Sequence, residues 1–169
     1  MRLLLGIALA VLVPASASAS ELFTGVHAHA VNTPLSLESD LEGGTDLSLG
    51  IRGDRIGRTP LQPYAFVSVN TAGDTNFAAA GLSARFGRQI YIRPGIGIAV
   101  HSGSAANSNR PDRIAFGSRV LFEPELAVGA ALNDRLSLEA SWVHFSHGQI
   151  FGKQNPGIDN IGVRLNLKL

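Results

Sequence analysis

Cysteine is absent from all 169 residues, so neither a disulfide nor a thiolate takes part in folding or chemistry. Charge is scarce as well: 16% of the side chains are charged, against roughly 25% in ordinary soluble domains, while 45% are hydrophobic. So little charge cannot coat a soluble surface generously, and part of the exterior is expected to face lipid. Lys+Arg number 14 and Asp+Glu 13, with no basic run, which excludes a nucleic-acid footprint. Nothing in the chain approaches 18 uninterrupted apolar residues, so no spanning helix is expected. Aromatics, at 7%, are sparse for the two interfacial girdles of a membrane barrel.

The N-terminus carries Arg2, an apolar run over residues 3–13, Pro14 and the small residues Ala17, Ser18 and Ala19, the three-part plan of a secretory signal peptide. Residues 1–19 are therefore expected to be removed on export, and 20–169 to form one domain. The apolar run is too short to cross ~30 Å of hydrocarbon. Its removal takes one Arg and no acid, leaving 13 basic and 13 acidic side chains.

The rest reads as alternating apolar and polar segments split by turn chemistry, over residues 22–31, 45–52, 64–70, 76–86, 89–101, 119–132, 136–146 and 159–169. Short links at Gly87-Arg88 and Asn133-Asp134-Arg135 suit hairpins. Links rich in Gly, Ser, Asn and Pro at 32–44, 102–118 and 147–158 are long, so short and long loops mostly alternate. The expectation is an all-β fold, an eight-stranded antiparallel transmembrane β-barrel with both termini on the periplasmic side. Closure matters because hydrocarbon leaves no unpaired sheet edge satisfied. A soluble lipocalin-like barrel or sandwich is the bland alternative.

The last two segments hold the informative anomaly. Even positions from Leu136 read Leu136, Leu138, Ala140, Trp142, then His144 and Ser146; odd positions of the final segment read Asp159, then Ile161, Val163, Leu165, Leu167 and Leu169. Each set is one strand face, and the polar residues cluster at the end nearest the intervening loop. If His144 lies opposite Asp159, the same register puts Glu139 opposite Arg164 on the other face. His144 and Ser146 then stand roughly 6.5–7 Å apart at Cα, a gap an imidazole spans. Serine needs a base to become a nucleophile, and histidine serves once a carboxylate fixes its tautomer, so the geometry suits a serine hydrolase at a membrane surface.

These residues, His144-Phe145-Ser146 followed by Asn155-Pro156-Gly157-Ile158-Asp159, resemble the C-terminal signature of the outer-membrane lipid A 3-O-deacylase (PagL-type) family. The resemblance implies an eight-stranded barrel whose site lies on the lipid-exposed rim, with Ser146 as nucleophile, His144 as base and Asp159 as orienting acid. It further implies Asn155 as oxyanion donor with a backbone N–H near Gly148, no cofactor or metal, and the ester-linked 3-acyl chain of lipid A in lipopolysaccharide as substrate. Outer-membrane lipids would surround the barrel, and a homodimer stays compatible with the sequence. Three features depart from the family: Asp159 replaces the common Glu, His147 follows the serine in place of Asn, and the intervening loop runs one residue longer. A non-enzymatic structural or adhesive barrel and an outer-membrane phospholipase are the competing readings.

Other candidates read as structural. His27 and His29 share a strand face, but with no neighbouring carboxylate or third ligand in sequence they read as a lumen-facing or solvated pair rather than a metal site. Gly95 and Gly97 follow a strand without opening a helix, so barrel packing explains them better than a nucleotide loop. Arg52, Arg55 and Arg58 fall on the periplasmic side, where ordinary solvation suffices.

Overall fold

The computed structural model describes residues 19–36, 41–108 and 113–169. The expected signal peptide lies outside them apart from Ala19. The wall runs β1 (Ala19–Ala28), β2 (Thr45–Gly53), β3 (Leu61–Asn70), β4 (Phe77–Ala84), β5 (Phe86–Gly87), β6 (Ile90–His101), β7 (Val120–Ala131), β8 (Leu136–Phe145) and β9 (Ile158–Lys168). Neighbours pair antiparallel, and β1 pairs with both β2 and β9, which closes the cylinder. β5 continues β4 past Arg85 in unbroken register against β6, from Phe77 opposite His101 to Gly87 opposite Tyr91. The staves therefore number eight, as the periodicity predicts. No described helix is long and apolar enough to cross a membrane.

Turns 54–60, 88–89 and 132–135 lie at the end where β1 starts and β9 finishes, and the described parts of loops 29–44, 71–76, 102–119 and 146–157 at the other. Outward positions such as Leu47, Leu49, Val67, Ile98, Val128 and Val163 are exposed and apolar. Because strand side chains alternate, the same staves send Arg52, Arg93, Glu123, Glu125, Glu139 and Arg164 inward, where all are buried. An apolar exterior around a polar, packed lumen is the pattern of a barrel solvated by lipid.

Most charges inside the lumen are in ion pairs, while Glu123 accepts from the Tyr64 hydroxyl. Glu21 bonds Arg52 and sits 2.9 Å from Arg93; Arg93 reaches Glu139 at 3.0 Å, and Arg164 reaches Glu125 at 2.6 Å. The predicted register is present, with Glu139 opposite Arg164. Their ion pairs run to other staves, however, because each long side chain reaches past the neighbouring stave to the next but one instead of meeting its cross-strand neighbour. Arg52 corrects the sequence reading: Arg55 and Arg58 are exposed in the turn, but Arg52 lies inside the lumen, fully buried, over the Phe23 ring at 4.8 Å. Gly97 is a close-approach position, since a Cβ there would stand 2.7 Å from both the Ala80 carbonyl and Glu123 Oε2.

The missing girdle aromatics are inside. Phe77 stacks on Phe145 at 3.9 Å and meets Phe116 edge-on at 6.1 Å, and with Ile114, Leu121 and Ile158 they form an apolar plug under the loop end. Beside the plug, His29 corrects a second reading: carboxylates absent from its sequence neighbourhood reach it in space. Its Nδ1 lies 2.9 Å from Asp46 and its Nε2 3.2 Å from Glu42. His27 instead meets Ser141 Oγ at 2.8 Å. No group of three or more potential metal ligands occurs among the described residues.

Burial alone would keep the His29 imidazole neutral, but hydrogen bonds and charge from Asp46 and Glu42 outweigh it and raise its pKa to about 9. Burial would likewise raise the Glu42 carboxyl, yet hydrogen bonds from His29 and Thr75 hold it below the usual range. A His29 proton bound more tightly folded than unfolded stabilises the loop fully below pH ~6.5, and this support fades as pH rises through about 9. Glu42 contributes above its unfolded pKa of ~4.3 and loses that contribution as pH falls through its depressed folded value. Amide protection of residues 29–36 and 41–46 is thus expected to be greatest between pH about 5 and 6.5 and to weaken on both sides. His29→Gln should remove the alkaline limb in hydrogen exchange.

Candidate active site

β8 and β9 are joined by the loop 146–157, and their pairing puts His144 opposite Asp159 at the loop end. Both belong to the outward sets that continue as Leu138 and Ile161, so they sit on the apolar side of the wall. The His144 Nδ1–H donates to Asp159 Oδ1 at 2.8 Å. The Trp142 Nε1–H donates to the same oxygen at 2.7 Å, and the Trp142 and His144 rings stack at 5.9 Å. Asp159 Oδ2 accepts from the Thr33 hydroxyl. With three donors and no exposure, Asp159 is a buried charge on an apolar face whose lone pairs are answered.

Carboxylate on Nδ1 leaves Nε2 of His144 as the nitrogen available to a nucleophile. Ser146, two residues on, lies just past β8 and exchanges both backbone hydrogen bonds with Phe122 at 2.7 and 3.1 Å. It is half-buried, and among the described residues no hydrogen bond joins its hydroxyl to the His144 ring. Phe122 stacks on Phe151 at 5.9 Å, giving the β7 side of Ser146 an apolar flank.

The loop is built around His147. Its Nε2 lies 2.9 Å from the Phe116 carbonyl and 2.8 Å from that of Gln154, so this nitrogen carries the proton. Nδ1 then accepts the Phe151 N–H at 3.3 Å. A fully buried His147 thus braces both limbs of the loop, which Asn at this position is too short to do in the same way. Gly148 and Gln149 follow with φ of 57° and 61°, and Ile150 N–H donates back to His147 O at 3.0 Å, a type I′ turn in which both central residues are left-handed. Asn155 Oδ1 accepts the His147 N–H at 2.7 Å. That bond assigns the amide orientation and identifies Nδ2 as the group's donor atom.

Gly157, at φ 70°, passes directly under the imidazole: a Cβ there would stand 2.9 Å from His144 Cε1 and 3.1 Å from the Leu35 carbonyl. The structure therefore brings His144 and Asp159 into contact, with Ser146 on the same rim and Asn155 and Gly148 in one braced loop. Trp142 and Thr33 escape the sequence reading. Trp142 was visible as the residue two before His144 on its face, whereas Thr33 arrives from a loop over a hundred residues away.

A family model described as lipid A 3-O-deacylase (PagL) matches residues 44–168. Among solved structures, the crystal structure of the outer membrane enzyme PagL superposes with a TM-score of 0.64 at 17% identity, covering 88% of this chain and 99% of that one. The Yersinia pestis outer membrane protein Ail, determined in a phospholipid bilayer nanodisc, gives 0.51 at 7% identity, with 90% and 100% covered. At such identities these likenesses show the fold alone. No curated protein sequence matches significantly. The family match takes in every stave except β1, and with the closed apolar-walled barrel it points to the outer membrane: the chain belongs to the lipid A 3-O-deacylase family.

Proposed function

We propose that the protein is a serine esterase of the outer leaflet that removes the ester-linked acyl chain at the 3-position of lipid A. The observation that carries this reading is the His144–Asp159 hydrogen bond on the lipid side of the wall, in a chain of this family. A lumen filled by Arg52, Arg93, Arg164 and Tyr91 has no room for a lipid, whereas a site on the outer wall meets its substrate by lateral diffusion.

His144 Nε2 takes the Ser146 hydroxyl proton as Oγ attacks the ester carbonyl, and Asp159 stabilises the imidazolium that results. The tetrahedral oxyanion is met by Asn155 Nδ2 and the Gly148 N–H, donors held in place before the reaction. The imidazolium then protonates the departing sugar 3-oxygen, leaving an acyl chain on Ser146 along the Phe122–Phe151 flank. Water, deprotonated by His144, releases the 3-hydroxy fatty acid and restores the hydroxyl.

Lipid A from cells expressing the parent protein is expected to lose one hydroxyacyl group by mass spectrometry, and lipid A from cells expressing Ser146→Ala to lose none. Identical spectra despite verified membrane insertion would return the chain to the structural or adhesive reading. Release from phospholipid alone would overturn the substrate.

A further inference from the structure

The chain leaves β1 inside the barrel and comes back outside it. His29 turns its ring into the lumen, and Ala30 follows in left-handed backbone at φ 55°, a conformation disfavoured for a residue with a Cβ. The Ala30 N–H donates to Asn160 Oδ1 on the lumen face of β9 at 3.0 Å, and the Val31 N–H to the Asp159 carbonyl at 2.7 Å. Residues 31–36 then cross to the apolar side, where Pro34 leads a turn closed by Ser36 N–H to Thr33 O at 3.2 Å. Asn160 and Asp159 are consecutive and face opposite ways, so this segment straddles the rim of β9.

Thr33 sits at the point of contact. Its Oγ1 accepts the Leu35 N–H at 3.0 Å, which leaves the hydroxyl hydrogen to donate, and it donates to Asp159 Oδ2. Among the described residues this is the sole hydrogen bond to Oδ2, while Oδ1 takes both His144 and Trp142. Hydrocarbon offers no donor, and an oxygen left bare there would draw the carboxylate round to share the donors of Oδ1. Residues 31–36 also lie outside the stretch matched by the family.

We propose that Thr33 is a positioning residue of the hydrolytic site, holding the Asp159 carboxylate so that one oxygen stays on His144 Nδ1; this rests on the esterase reading of Ser146. The same segment shields that charge from lipid.

The test uses purified, folded protein in detergent micelles as parent, Thr33→Val, Thr33→Ser and Ser146→Ala. It reads acyl release from lipid A and the NMR resonance of the His144 Nδ1–H, assigned with His144→Phe. Thr33→Val is expected to lower kcat roughly ten- to hundredfold. KM should stay within about twofold, since no substrate contact is lost. The Nδ1–H resonance should broaden through faster exchange. Thr33→Ser, which keeps the hydroxyl, should restore both. Parental kcat and resonance in Thr33→Val would overturn the proposal, as would a Thr33→Ser as defective as Thr33→Val, because packing of the methyl would then be the working part. Ser146→Ala should abolish release yet keep the resonance; if it hydrolyses at the parental rate, the esterase reading falls while the resonance in Thr33→Val still decides the role of Thr33.

Discussion

His144→Phe is expected to lower kcat for acyl release by roughly four to six powers of ten, with the barrel intact. The phenyl ring keeps the stack on Trp142 and adds no charge, so what disappears is the base. None of the other four described histidines can replace it. His27 is committed to Ser141 and His29 to two carboxylates; His101 Nε2 meets the Ser118 carbonyl at 2.7 Å, and His147 holds two carbonyls of its own loop. Initial rates of hydroxy fatty acid release measure the effect, and a loss of less than about tenfold would place the base elsewhere. Asp159→Asn should cost less. The Trp142 and His144 N–H groups converge on Oδ1, so the Asn carbonyl is held on that side, the imidazole tautomer survives, and only the charge that stabilises the imidazolium is lost.

How much of this was legible in the sequence follows from which forces act along one strand and which act across the fold. Period-2 alternation is local, so the eight staves and the outward set from Leu136 to His144 could be read directly. The β8–β9 register was readable because two polar pairings on opposite faces agree on one alignment, His144 with Asp159 and Glu139 with Arg164. What could not be read is what a closed cylinder brings together from distant staves. Arg52 looked like a solvated turn residue because the sequence does not show that its guanidinium turns into the lumen, where it meets Glu21, opposite it on β1, and Ser83 on β4. His29 gained Asp46 through the pairing of β1 with β2, and Glu42 from residues 41–44 that lead into β2. The low aromatic content argued against a membrane barrel only on the assumption that aromatics sit in girdles. Five of the eight Phe (Phe23, Phe66, Phe77, Phe116 and Phe145) are buried in the lumen or the plug instead.

Arg164→Met should destabilise the barrel by about 3–5 kcal/mol, because removing one partner strands the other charge in a packed interior. Glu125 has its sole ion pair among the described residues with Arg164, and Glu123 lies two residues away on the same inward face of β7, so two carboxylates would share a site with one cation fewer. The guanidinium also lies over Phe23 at 5.3 Å and Phe66 at 5.8 Å, contacts the thioether side chain keeps only as apolar packing. Guanidinium unfolding in detergent, followed by fluorescence of the one tryptophan, Trp142, gives the measurement. Arg164→Met/Glu125→Met should recover most of the loss, since a buried ion pair is often replaceable by apolar side chains of similar volume whereas half of one is not. Arg55→Ala, in the exposed turn 54–60, should move stability by less than about 0.5 kcal/mol. A midpoint in Arg164→Met equal to that of Arg55→Ala would mean that the lumen charges are held by trapped water rather than by one another, and the double variant would then gain nothing over the single.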